Sequence, residues 1–334
     1  MLWVAGFAAA YFFCAFASVR TFWLPCGFAL AAFLLVERRG WILLATAMLL
    51  GEGGYNFFSS STWPWWATWS LSFSNIGSAV VGALLCQWIF PGKPSLYSVP
   101  RFLVVLCFGG LLALAPTAAI GANFARLMGS KRDFVSICTS WYLRDCLGVL
   151  LATPLLLSWL TPVTREDRTW TSRRQLEAWL LIATLAAVLA SAFFITETHS
   201  HMIRLEAIPV LLWASMRFGV RGVSAITFIF SLGAGWLAMR GYGVGPLDAR
   251  TVAARNLELQ STLASMAFIG LIPAIIVQIQ RQAEGRLRDE RNLFLTTLDH
   301  EPDGVLLIGL NGRLLQINRA GLNLLQVAAQ TDPT

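Results

Sequence analysis

Charge is what this sequence has least of. Only 13% of its 334 residues are Asp, Glu, Lys or Arg, where a soluble domain carries about a quarter. Such a chain cannot cover a water-facing surface of its own size. Histidine is nearly absent, at 3 residues, which leaves little material for imidazole-based metal or acid–base chemistry. None of the 6 cysteines stands in a C-x-x-C pair, so neither a zinc site nor a dithiol couple is indicated. We find no G-x-S-x-G, no H-E-x-x-H and no phosphate-binding glycine loop. No catalytic constellation and no cofactor is therefore evident.

What is present is apolar surface. Apolar residues make up 56% of the chain, with 14 Trp and 22 Phe, rings that collect at membrane interfaces. Apolar segments recur at about 2–19, 21–36, 41–58, 65–90, 102–125, 134–160, 176–196, 203–218, 220–239 and 257–280. Most approach the ~20 residues that cross a bilayer. The expected fold is an all-α polytopic membrane bundle of about eight to ten spans. The eighth segment contains Arg204, Glu206 and Pro209 and is read as re-entrant or tilted. Ala15-Phe16-Ala17 resembles a cleavage site, but no basic stretch precedes it; the first segment is read as an uncleaved span.

The net charge is +7, yet the basic residues flank apolar segments in short clusters, which speaks for a lipid bilayer as partner and against nucleic acid. With both termini on the cytoplasmic side, fourteen flanking basic residues fall inside and eight outside, as positive inner loops require.

Beyond residue 280 the composition turns polar. The run QRQAEGRLRDERN reads as the last span continuing as a linker helix over 283–299, with Leu287, Phe294 and Leu298 forming a weak stripe. Val305–Ile308 and Arg313–Ile317 read as strands joined at Asn311-Gly312, a hairpin-turn dipeptide. Asn318 is placed to cap a helix starting near Arg319. A hairpin and one helix cannot bury a core, so 300–334 reads as the beginning of an α+β domain. Asp303-Gly304-Val305, Asn311-Gly312 and Ile317-Asn318-Arg319-Ala320 together resemble the start of a PAS domain.

Residues 1–282 resemble the type-one MASE family of membrane-associated sensor domains. The resemblance rests on Trp23-Leu24-Pro25-Cys26-Gly27, on Trp141 to Pro154 with Gly148, and on Pro209 to Trp213 followed by Arg217-Phe218-Gly219. It implies a bacterial inner-membrane sensor joined to a diguanylate cyclase, phosphodiesterase or histidine kinase output. A homodimer formed through linker and cytoplasmic domains, and an unknown small-molecule or protein signal, follow from the same resemblance. Secondary transport of a small polar solute is the alternative, and a passive anchor a third.

Ionisable groups near the bilayer centre cost from about 2.5 to over 10 kcal/mol. Arg144 and Asp145 fall near the middle of the sixth segment, and adjacent helical positions diverge by about 100°, so partners on other helices are expected. Glu52, with Asn56 one turn later, and Arg217 are the candidates. A polar cluster of Asp145, Arg144 and Glu52 either binds a polar signal, or titrates, or locks the packing. His199 and His201, with Glu197, stand two residues apart and are read as a solvated loop, a pH sensor or a weak metal site. Pro25, Pro154, Pro209 and Pro273 mark kinks, helix starts or hinges.

Overall fold

In the computed structural model, residues 2–18, 21–59, 63–91, 99–161, 171–194, 200–240 and 252–331 are described. Apolar periodicity becomes helix almost throughout. The order is α1 (Leu2–Ala17), α2 (Leu24–Leu35), α3 (Trp41–Phe58), α4 (Trp65–Ile89), α5 (Val99–Val104), a π-helical stretch Val105–Leu112, and α6 (Ala113–Leu127). Then follow α7 (Phe134–Leu160), α8 (Ser172–Phe194), α9 (Ser200–Met239) and α10 (Val252–His300). Residues 1–278 form one compact unit and residues 279–334 a second.

Six of these helices are long and apolar enough to cross a membrane, among the described residues: α4, the continuous Val99–Leu127, α7, α8, α9 and α10. Val4–Ala17 and α2 are apolar but shorter. α2 is the clearest case. Its 12 residues rise roughly 18 Å at about 1.5 Å each, short of the ~30 Å hydrocarbon layer. Its surface is apolar all round, and every residue from Leu24 to Leu34 is buried. A helix of that kind belongs inside a bundle. In α3, Glu52, Asn56 and the glycines at 51, 53 and 54 interrupt the apolar run.

α2 packs most extensively on α7, and the contact is backbone on backbone. A methyl group on Gly27 would lie 2.3 Å from the Gly148 carbonyl oxygen. One on Gly148 would lie 1.9 Å from the Trp23 carbonyl oxygen. Two hydrogen bonds bridge the same seam. The Trp23 N–H donates to the Arg144 carbonyl at 3.1 Å, and the Thr153 hydroxyl donates to the Gly27 carbonyl at 3.0 Å. Small residues that let backbones approach are the usual means of joining helices in lipid, where no hydrophobic force drives them together. Pro25 at the first turn of α2 gives up an N–H that has no intrahelical partner there.

The other side of α2 rests on the π-helical stretch. Leu30 lies over Gly109, and the α4 backbone at Gly82 closes on the same residue. The stretch ends four residues before Pro116. Proline lacks the N–H that would bond the Leu112 carbonyl, and a wider turn accommodates that loss.

α9 is two helices in sequence. Gly219 adopts φ 63° and ψ −158°, a conformation open essentially only to glycine, and it separates the halves that the sequence gives as 203–218 and 220–239.

In the second unit, the end of α10 is followed by the antiparallel pair β1 (Leu306–Ile308) and β2 (Leu314–Ile317), then α11 (Arg319–Thr331). Gly312 takes φ 75° in the turn. Asn318 is 1% exposed and ties the unit together. Its carbonyl oxygen accepts from the Val305 and Gly321 N–H groups, each at 2.8 Å. Its amide donates to the carbonyls of Leu298 at 2.9 Å and Asp303 at 2.8 Å. It caps α11, as expected, and also fixes the end of α10 to the hairpin.

Gly148→Ala should lower the melting temperature of the detergent-solubilised protein, because overpacking against backbone costs about 1–3 kcal/mol or more. Gly6→Ala, where nothing lies within 4 Å, should leave it unchanged. Equal melting of the two variants would contradict the seam.

Candidate functional site

One group of polar side chains, Trp23, Arg144 and Asp145, lies where the chain enters α2 against α7. Three short-range facts build the site. Trp23, immediately before α2, is extended (φ −119°, ψ 93°), so its backbone can bond α7 at Arg144. Trp141 and Arg144 are three residues apart on α7 and share a face. Gly121 on α6 has room for no side chain because the Trp141 ring lies against it.

Arg144 is held between rings. Its guanidinium carbon stands 5.0 Å from the Trp23 ring centroid and 5.5 Å from that of Trp141, each contact worth about 0.5–2 kcal/mol. The walls extend outward: Trp63 stacks on Trp141 at 5.9 Å, and Tyr55 meets Trp23 edge-on at 5.5 Å. Asp145 is 2% exposed. Its Oδ1 lies 3.7 Å from Arg144 Nε, in ion-pair range but too far for a hydrogen bond. The expectation that neighbouring residues would diverge toward other helices is therefore met only in part. The long arginine side chain reaches Trp23 before α2 and also bends back toward Asp145.

Glu52 belongs to a second, adjoining knot. A methyl on Gly51 would meet the Ala8 carbonyl oxygen at 2.5 Å; this close approach of α3 to α1 delivers Glu52 to Tyr11. The Tyr11 hydroxyl donates to Glu52 Oε2 at 3.0 Å, and the Asn75 amide of α4 donates to Oε1 at 3.1 Å. Both carboxylate oxygens are thereby satisfied in a side chain that is 4% exposed.

The remaining candidates are distributed elsewhere. Asn56 is half-buried, and its carbonyl accepts from the Ser59 hydroxyl. Arg217 clasps Glu177 of α8 through two hydrogen bonds, with Arg173 also 3.6 Å from that carboxylate. Of the other motif positions, Pro154 is buried within α7. Pro209 and Trp213 lie on exposed positions of α9, and Phe218 and Gly219 mark its break. His199, Glu197 and the side chain of His201 lie outside the described residues.

Two connections escaped the sequence reading. Arg221, just past the break, donates to the Ser158 carbonyl at 2.6 Å and the Thr161 carbonyl at 2.7 Å, capping α7 with a cation where the helix dipole favours one. Gln260 of α10, 6% exposed, donates to the Thr21 carbonyl at 2.9 Å. An amide inside an apolar span was the available signal for Gln260, as Asn75 was for the second knot.

Of the positions on which the resemblance rests, Trp23, Pro25, Gly27, Trp141 and Gly148 lie at the α2–α7 seam or against Arg144, and Gly219 at the break of α9. A family model, MASE1, matches residues 5–281. The chain belongs to the MASE1 family. No curated protein and no solved structure matches it. MASE1 is a membrane sensor domain of signalling proteins and is not itself catalytic. In this MASE1 chain the two polar knots lie within the matched residues, and the start of the second unit lies at their end.

Tyr11→Phe leaves one Glu52 oxygen buried without its donor and should destabilise the bundle by about 1–3 kcal/mol. Phe13→Leu, on an exposed face of the same helix, should change stability by less than about 0.5 kcal/mol. Thermal unfolding of both variants in one detergent decides the comparison.

Proposed function

We propose that this chain is the sensory part of a bacterial signal-transduction protein of the inner membrane, with both termini cytoplasmic. A small polar signal is received at the Trp23–Arg144–Asp145 site. Its binding favours one packing of α2 on α7, and α10 carries the change toward the cytoplasm. The observation that carries this reading is the Gln260–Thr21 hydrogen bond. Thr21 is two residues from Trp23, and Gln260 lies on the helix that runs without interruption to His300.

In this reading residues 300–334 begin a PAS domain, and the protein acts as a homodimer. Its output is a diguanylate cyclase, a phosphodiesterase or a histidine kinase. The hairpin, its Asn311-Gly312 turn and the capped α11 support the PAS assignment; the family supports the output classes. A signal shifts such a system only by its differential affinity for the two packings. A site built from a helix seam meets that requirement because the seam has little room for intermediate positions.

The broken α9 favours a second reading, transport of a small polar solute, since interrupted helices and buried charges occur together in transporters. Uptake of labelled solute by vesicles containing the chain would support transport over sensing.

Gln260→Leu removes the bond to Thr21 while keeping an apolar helix. In the full-length protein it should change signal-dependent output severalfold. Deleting one residue within 283–293 rotates everything beyond it by about 100° and should also alter output. Unchanged output in both would contradict transmission through α10.

A further inference from the structure

Three buried polar atoms at the Trp23–Arg144–Asp145 site have no hydrogen-bond partner among the described residues: Trp23 Nε1, Arg144 Nε and Asp145 Oδ1. Unpaired groups of this kind are rare in folded proteins, because each forfeits its hydration without replacement. Here they converge. Arg144 Nε and Asp145 Oδ1 are 3.7 Å apart, and the Trp23 ring lies against the Arg144 guanidinium. Two are donors and one is an acceptor, and two of the three belong to charged groups. The Arg144 side chain is 28% exposed while that of Asp145 is 3% exposed, so the arginine is the more accessible of the two and the carboxylate the more deeply buried.

The arrangement selects among ligands. An anion alone would meet the donors but face the Asp145 carboxylate. A cation alone would meet the carboxylate but face the Arg144 guanidinium. A neutral amide would satisfy the directions without the charge-assisted strength that both groups offer. A molecule with both charges satisfies all three atoms. The short gap between Arg144 Nε and Asp145 Oδ1 requires those charges to be close neighbours, as when both hang from one carbon atom.

We propose that the Trp23–Arg144–Asp145 site binds a small zwitterion of the α-amino acid class. The ligand's carboxylate accepts from Arg144 Nε–H and Trp23 Nε1–H, and its ammonium donates to Asp145 Oδ1. The rings of Trp141, Trp63 and Tyr55 exclude water around the three bonds and strengthen them. The assignment rests on the sensory reading above only for its consequence, since binding itself requires no output domain.

The test is calorimetry and thermal shift on the whole chain in lipid nanodiscs with the common L-α-amino acids. Propionate, ethylamine and acetamide serve as probes that carry one charge or none. Saturable binding of at least one amino acid is expected, with none of the three single-function probes matching it. Asp145→Asn and Arg144→Gln should each weaken it roughly ten- to hundredfold. Trp23→Phe, which keeps a ring and removes only the donor, should weaken it severalfold and guards against loss of fold in the charge variants. Absence of binding by every amino acid, equal binding by a single-function probe, or full affinity in folded Asp145→Asn would overturn the assignment. Failure of the sensory reading looks different: amino acid binding would persist while the output of the full-length protein ignored it.

Discussion

Everything in the bundle depends on the approach of two backbones. Gly27 and Gly148 leave no space for a methyl group between α2 and α7, and that closeness lets the Trp23 N–H and the Thr153 hydroxyl bond across the seam. A helix too short to cross a bilayer is thereby held buried within the bundle. Its burial also brings Trp23 over Arg144, so the seam and the polar site are one construction. Moving α2 an ångström away from α7 would break the bond to Arg144.

The charges near this seam are handled in two ways. Glu52 receives donors on both oxygens, from Tyr11 and Asn75, and so ties α1, α3 and α4. Satisfied networks of this kind specify packing. Asp145 and Arg144 are left incompletely bonded despite deep burial of the carboxylate. The contrast separates a satisfied network from an unsatisfied one within one polar region. The outlying contacts, the Arg217–Glu177 ion pair and the Arg221 bonds to carbonyls at the end of α7, fasten the part of the bundle around the Gly219 break.

Much of this was legible in the sequence. Length, charge deficit and apolar runs point to a helical membrane bundle, and Arg144, Asp145 and Glu52 stand out because nothing in hydrocarbon tolerates them unpartnered. Glycine and proline at 27, 148 and 25 signal the seam only through resemblance, since a glycine in a helix does not say which backbone it meets. Segment counting does not set α2 apart from the spans, because α2 is as apolar as they are and differs only in length. The partners were hidden for a related reason. Tyr11, Asn75 and Gln260 are ordinary residues until the fold places them beside a carboxylate or a carbonyl. The cap at Asn318 is legible in the sequence, but its bonds to Leu298 and Asp303 depend on a turn whose course is not encoded locally.

The central claim is that the polar site and α10 are energetically linked through Thr21 and Gln260. A double-mutant cycle on the signalling output of the full-length protein tests it, with Asp145→Asn and Gln260→Leu singly and together. Linked sites should give a combined effect that departs from the sum of the single effects by at least about 0.5 kcal/mol. Strict additivity would mean that the site and the output helix act independently, and would contradict the account.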